Sequence, residues 1–297
     1  MVSNPMKVTA RAPVRIDLAG GWTDVHHFAD REGGAVLNAA ITHYVRGELG
    51  RAEGRFQVSY HADVPPGAGL GASAALNVVW LALVNASMGR QPAREELAEQ
   101  AYRLEELLGV TGGRQDQYAA TLGGVNFLRF EGGAVHVEQL SLGDDTLRRL
   151  QERLVLVYSG ESRLSGDIHE RVWGGYLAGT KKVAAALRRL TAIAFEMREA
   201  LLRGDLASFG ALLGDNWRCQ KDLHPSITND TVEGLFQVAT GAGAISGKAC
   251  GAGGGGCLLF WCEEEVAPQV ASTLRDAAPQ VIDFAFDGEG LVVEGEG

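Results

Sequence analysis

The sequence predicts a fold of mixed strands and helices in two parts, and three observations carry that prediction. Strand-like alternation and helical periodicity interleave as far as residue 150, the pattern turns helical from Ile168 to Leu213, and a glycine-rich run, Gly251 to Gly256, then leads into an apolar strand and a closing helix. The 297 residues suffice for one large or two ordinary domains, and a hydrophobic content of 46% supplies a substantial core.

Charge narrows the partners. A formal net charge of -10 opposes a general nucleic-acid or anionic-membrane surface, because phosphate backbones need clustered Lys and Arg. A small phosphorylated ligand needs only a few local donors. The N-terminal MVSNPMKVTARAPVR lacks the apolar core of a signal peptide, and no run of about 18 apolar residues occurs, so the expected compartment is the cytoplasm. Cys219, Cys250, Cys257 and Cys262 form no CxxC pair and no His-supported metal pattern, which points to small buried thiols.

The elements follow in order. Lys7 to Arg15 alternates like a strand, with Pro13 marking an edge or an irregular end. LAGGWTD then loosens the backbone at Gly20 and Gly21 and sets Thr23 and Asp24 on a loop, where they suit either a hydroxyl-rich ligand or a local cap before a short helix. Gly33 and Gly34 end that helix. Ala35 to Gly47 reads as one strand or two, and Phe56 to His61 as another. His26, His27 and His43 lack metal-ligand spacing and are expected at the surface or the core edge.

The glycine-rich turn PPGAGLGASAAL, Pro65 to Leu76, runs straight into a helix. Glycines 67, 69 and 71 let backbone N–H groups approach an anion, and the helix beginning near Ala72 points its positive end at the same place. The turn is therefore a candidate phosphate cradle. Leu76, Val79, Trp80, Leu83 and Val84 recur at helical spacing behind it, predicting a buried helix that stops at Gly89. Arg94 to Leu108 is a more amphipathic helix, with Leu97, Ala101, Leu104 and Leu108 on one side. Asp116, in GVTGGRQDQYAATLGG, either presents a carboxylate to a buried site or caps a short helix.

Val125 to Phe130 and Val135 to Leu140 read as paired strands, Asp144 to Arg153 as a charged surface helix and Leu154 to Tyr158 as a buried strand. The small and hydroxyl residues of SGESRLSGDIH suggest a ligand-facing loop, after which Ile168 to Leu202 and Asp205 to Leu213 are helical. Thr231 to Thr240 adds a short helix. The run Gly251 to Gly256 is too tightly framed by the strand Cys257 to Cys262 to be a linker, so close backbone approach is the better account. Ala267 to Ala277 is predicted helical, Val281 to Phe286 and Leu291 to Val293 extended, and the acidic tail solvated.

Taken together, RAPVRIDLAGGWTD, PPGAGLGASAAL and KACGAGGGGCLLFW resemble the three signature motifs of the GHMP small-molecule kinases, in that family's order. GGAVLNAAI and GGRQDQYAATLGG look most like the branch that contains D-glycero-D-manno-heptose 7-phosphate kinase and L-fucokinase, and LAGGWTD and QDQYAA disfavour the mevalonate and homoserine types. The resemblance implies an α+β fold of two domains with the active site in the cleft between them, and the change of pattern near residue 150 divides them as 1–153 and 154–297. It implies transfer of the terminal phosphoryl of ATP, with Mg²⁺, to a sugar hydroxyl, commonly the anomeric one.

Residue by residue, the resemblance places the ATP phosphates on Pro66, Gly67, Ala68, Gly69, Leu70, Gly71, Ala72 and Ser73. Relatives commonly carry two serines after GLG; here Ala72 replaces one, so Ser73 alone offers a hydroxyl to metal or phosphate. Glu105 matches the acidic metal ligand, with Glu106 as the competing position. Asp116 matches the catalytic aspartate and Arg15 its basic partner; a carboxylate beside an arginine keeps its charge and suits the positioning or deprotonation of a sugar hydroxyl. Thr23 and Asp24 match the sugar-contacting end of the first motif, and Gly253 and Gly254 the loop that closes near the substrate. Ser162, Arg163 and Ser165 are candidates for a distal phosphate on the sugar or, equally, for a solvent-facing loop. A non-catalytic sugar and ATP sensor is the alternative of another class.

Overall fold

In the computed structural model, residues 6–52, 55–161 and 165–296 are described. The chain opens with β1 (Met6–Ala19), α1 (His26–Glu32), β2 (Gly34–Ala52) and β3 (Arg55–Ala62), and continues with α2 (Ala72–Ser87), α3 (Arg94–Leu107) and α4 (Gln115–Leu122). A hairpin of β4 (Val125–Glu131) and β5 (Ala134–Gln139) leads to α5 (Asp144–Gln151) and β6 (Leu154–Tyr158). Next come α6 (Ser165–Leu177), α7 (Lys181–Leu202), α8 (Leu206–Lys221), a 3₁₀ turn at Pro225–Ile227 and α9 (Asp230–Gly241). The chain closes with β7 (Ser246–Ala249), β8 (Cys257–Trp261), α10 (Ala267–Ala277), β9 (Gln280–Ile282) and β10 (Val292–Glu296).

These strands form two antiparallel sheets, one ordered β10-β1-β2-β4-β5 with β3 also on β2, the other β7-β8-β6-β9. The larger core cluster takes Ile16, Leu37 and Ile41 from the first sheet, Leu83 from α2, and Leu156 and Leu259 from the second sheet. One apolar interior thus joins the two sheets. A second cluster packs the other face of β6 and β8, through Val157, Leu258 and Phe260, against Trp173, Leu187 and Val270 of the helices. No helix among the described residues is long and apolar enough to cross a membrane.

Several expectations change. Pro13 lies just past the last β10 pair, Arg11 with Val292, and the register with β2 shifts between Pro13 and Val14. The irregularity is present, yet β1 runs on to Ala19 and carries Arg15 and Asp17 into the interior. Gly34–Ala52 is a single strand. The helical pattern of Ile168 to Leu202 divides at Gly179, whose φ of 78° no ordinary helical residue adopts. Trp80 is 41% exposed and Leu108, beyond the end of α3, is 68% exposed. Helical spacing alone placed both residues inside.

The acidic tail keeps Glu294 and Gly295 exposed, as expected, but it is not coil. Its residues form β10, which pairs with β1 from Arg11↔Val292 to Lys7↔Glu296. The preceding segment also returns to the first sheet, through a bridge between Ile41 and Phe286. The second sheet thus begins at β6, while residues 286 to 296 return to the first sheet.

Candidate active site

The glycine turn and α2 form the floor of a cleft of about 260 Å³. Gly67, Gly69 and Gly71 have φ of 72°, 74° and 77°. At Gly69 space as well as φ demands glycine, since a Cβ there would lie 2.7 Å from the Cys250 carbonyl oxygen, and at Gly71 a Cβ would crowd the Asp116 carboxylate at 3.1 Å. No side chain caps α2, so its first-turn N–H groups remain for a ligand. Ser73 and Ala72 line the cleft beside them, whereas Pro66 is exposed and outside the lining. Leu70 is buried in the core, and its carbonyl accepts the Arg15 N–H at 2.9 Å.

That backbone bond fixes β1 to the turn, and the Arg15 side chain completes the attachment. Its Nε donates to Asp116 Oδ1 at 2.7 Å and its Nη1 to the Gly69 carbonyl at 2.6 Å. Arg15 is only 4% exposed; burial opposes its charge, but Asp116 and Asp17 outweigh burial and raise its pKa. Asp116 lies in the first turn of α4, where no side chain caps the helix, and it lines the cleft. The capping alternative is not what forms.

Two further acids meet the same cleft. Glu105 on α3 is buried, with Oε1 accepting from Asn77 (2.9 Å) and Oε2 from Gln117 (2.8 Å). Glu106 is exposed and accepts from the Tyr102 hydroxyl, so of the two it is Glu105 that reaches the cleft. Burial, reinforced by the charge of Asp116, pushes Glu105 up to about 7. Asp24 is also pushed up to about 7, by burial first and by Asp116, against the pull of the Gln115 N–H that it accepts at 3.0 Å. A Cβ on Gly113 would sit 1.8 Å from Asp24 Oδ2, so that contact admits only glycine.

These raised values have a sign that can be tested. A carboxyl whose folded pKa exceeds its unfolded one favours the fold fully below pH ~4 and loses that contribution as pH rises through 7. Glu105→Gln in ligand-free protein is therefore expected to match the wild type near pH 4 and to exceed its stability at pH 8 by roughly 1–3 kcal/mol. Thermal melts at the two pH values check this, and an unchanged or lower melt at pH 8 contradicts it.

The structure does not bring every expected residue to the cleft. Thr23 is fully buried, its hydroxyl lying 2.7 Å from the Gly20 carbonyl and 2.9 Å from the Ala35 carbonyl and accepting the Ala35 N–H at 3.1 Å. It locks the LAGGWTD turn and is not a cleft-lining contact. Gly253 lines the cleft, but Gly254 is turned away: its N–H donates to the Ile227 carbonyl at 2.7 Å and its own carbonyl accepts from Asn229. Ser162 and Arg163 lie outside the described residues, as does the side chain of Ser165.

Other residues enter that sequence reasoning passed over. Lys248, entirely buried, donates from Nζ to Asp17 Oδ2 at 2.6 Å and to the Asp17 carbonyl at 2.8 Å. Asp17 lines the cleft and its Oδ1 has no partner among the described residues. Strand alternation offered a signal for Asp17, which shares a face of β1 with Arg15. Nothing local marked Lys248, because its partner is 231 residues away.

Backbone donors and a fixed cation beside a carboxylate in a cleft suit phosphoryl transfer, which asks chiefly for alignment and charge neutralisation. The comparisons give the family. The chain belongs to the GHMP kinases: the N terminal domain of that family matches residues 35–124 and the C terminal domain residues 197–280. It is 32% identical to D-glycero-alpha-D-manno-heptose 7-phosphate kinase of Campylobacter jejuni, over 96% of this chain and 98% of that protein. It is 26% identical to the bifunctional fucokinase/GDP-fucose pyrophosphorylase of Arabidopsis thaliana, over 93% of this chain but 32% of that protein. Among solved structures, a D-glycero-D-manno-heptose 1-phosphate kinase from Bacteriodes thetaiotaomicron superposes with a TM-score of 0.78 at 25% identity, covering 97% of this chain and 98% of that one. The enzyme is thus a kinase of the GHMP family, with a hydroxyl as acceptor.

Proposed function

We propose that this kinase transfers the terminal phosphoryl of ATP to the anomeric hydroxyl of a sugar or sugar phosphate, D-glycero-D-manno-heptose 7-phosphate being the first candidate. The observation that carries this reading is the Arg15–Asp116 pair, which lines the same cleft as the glycine turn and the Asp24 carboxyl. Gly67 to Ser73 receive the ATP phosphates on backbone N–H groups and the helix end. Asp24 accepts from hydroxyls of the acceptor. Asp116, held in place by Arg15, orients the attacking hydroxyl and takes its proton.

The donor set fits Mg²⁺. Glu105 carries a buried carboxylate with no cation in hydrogen-bond contact among the described residues, oriented at both oxygens by neutral amides, and Ser73 adds a hydroxyl; a cation that keeps several waters and phosphate oxygens needs few protein ligands. Bound there with ATP, Mg²⁺ would neutralise the phosphate charge. Apart from activity, adding MgATP should raise the melting temperature more in the wild type than in Glu105→Gln.

The substrate is tested by a panel of heptose 7-phosphate, L-fucose, other hexoses and uronic acids with MgATP, following ADP release and locating the new phosphate by ³¹P NMR. The expected product is a sugar 1-phosphate from the heptose 7-phosphate. A product phosphorylated on a primary hydroxyl, or no turnover of any sugar, contradicts the proposal. Preferred turnover of L-fucose instead would keep the reaction and change the acceptor.

A further inference from the structure

Beside Asp24, the cleft wall carries two rings that have no part in the chemistry above, His169 and Trp22. His169, on α6, lines the cleft together with Trp22 and Asp24. Its ring stacks on the Trp22 indole, with centroids 4.4 Å apart and planes at 29°. One turn along α6, Trp173 Nε1–H donates to His169 Nδ1 at 3.3 Å. An indole nitrogen only donates, so Nδ1 is the acceptor and the single proton of the neutral imidazole sits on Nε2.

The surroundings keep the ring neutral. Burial, with the nearby His27, pulls the His169 pKa down to about 4. His27 is itself pulled down, by burial first and then by His26 and Arg31. The wall is also made at a cost in backbone conformation: Trp22 has φ 82°, alone among described non-glycine residues in being left-handed, and such strain persists where the surrounding contacts over-determine it. Here the Thr23 lock follows Trp22 directly, and the Trp173 ring lies 5.9 Å from the indole, centroid to centroid.

We propose that His169 is a specificity residue of this kinase, its Nε2–H donating to a hydroxyl oxygen of the sugar while Asp24 accepts from another hydroxyl of the same molecule. Trp173 is the positioning residue, because it fixes the tautomer. A neutral donor reads a hydroxyl and offers no charge to a phosphate, so this wall discriminates among sugars by hydroxyl pattern. The inference rests on the sugar-kinase reading above.

The test uses the full chain and whichever sugar the wild type turns over. His169→Ala should raise the Michaelis constant for the sugar about tenfold, the loss of one buried hydrogen bond, with that for ATP within about twofold. His169→Gln, which places an N–H close to the position of Nε2, should recover most of the loss. Trp173→Phe, which frees the tautomer, should fall between. Equal rises for sugar and ATP, no rescue by Gln, or an unchanged constant in His169→Ala would overturn the inference and leave the kinase reading standing. A wild type that phosphorylates no sugar would remove that reading, and this inference with it.

Discussion

Asp116→Asn is expected to lower kcat by about 10²- to 10⁴-fold while ATP affinity stays within a few-fold. Asparagine has the same shape and keeps an oxygen for the Arg15 Nε, which Asp116 Oδ1 now accepts at 2.7 Å. Arg15 also keeps its bond to the Gly69 carbonyl, so the glycine turn retains its anchor. What the amide cannot do is accept a proton. A second readout separates this from general damage: the charge of Asp116 helps hold Glu105 near 7, so the substitution should let Glu105 ionise at lower pH. Steady-state kinetics and calorimetric titration with ATP check the first part, and near-normal turnover would remove Asp116 from its role.

Lys248→Met carries the largest expected effect on stability. The ammonium is completely buried and makes two hydrogen bonds to Asp17, whose other carboxylate oxygen is already without a partner among the described residues. Removing one member of a buried pair leaves an uncompensated charge and typically costs about 3–5 kcal/mol. Arg15 supplies some compensation, since its charge is coupled to Asp17. For a chain of this size, a fall in melting temperature of roughly 10 °C follows. The double variant Asp17→Leu, Lys248→Met removes both charges and should recover a large share of that loss. A single variant that melts like the wild type would contradict the account of the pair.

The parts of this molecule that were legible in the sequence are those specified by neighbours in the chain. The turn from Gly67 to Gly71 announces itself because three left-handed positions alternate within five residues, and β6 and α10 because their apolar patterns are complete in themselves. Arg15 and Asp116 could be paired in advance through the motif resemblance, and the structure sets them in contact. Ser246–Ala249 gave no such signal; its small residues become a strand only by pairing with β8. The same applies to the acidic tail, which is extended because β1 offers it an edge.

Thr23 illustrates the opposite error. A hydroxyl beside a carboxylate suits a ligand contact or a local cap, yet here the turn itself uses that oxygen, through the backbone of Gly20 and of the distant Ala35. His169 was passed over because its significance depends on Trp22, from a distant part of the chain, and on a proton position that Trp173 decides.

The central claim is that this cleft performs sugar-dependent phosphoryl transfer with Asp116 at its centre. Its most direct test is ADP formation by the purified protein with MgATP, in the presence and absence of the sugar panel, for the wild type and Asp116→Asn in parallel. The account predicts ADP release that requires a sugar in the wild type and is nearly absent in the variant, although both bind ATP. Tight binding of ATP and sugar with no ADP formed by the wild type would contradict it and leave a binding protein built on a kinase fold.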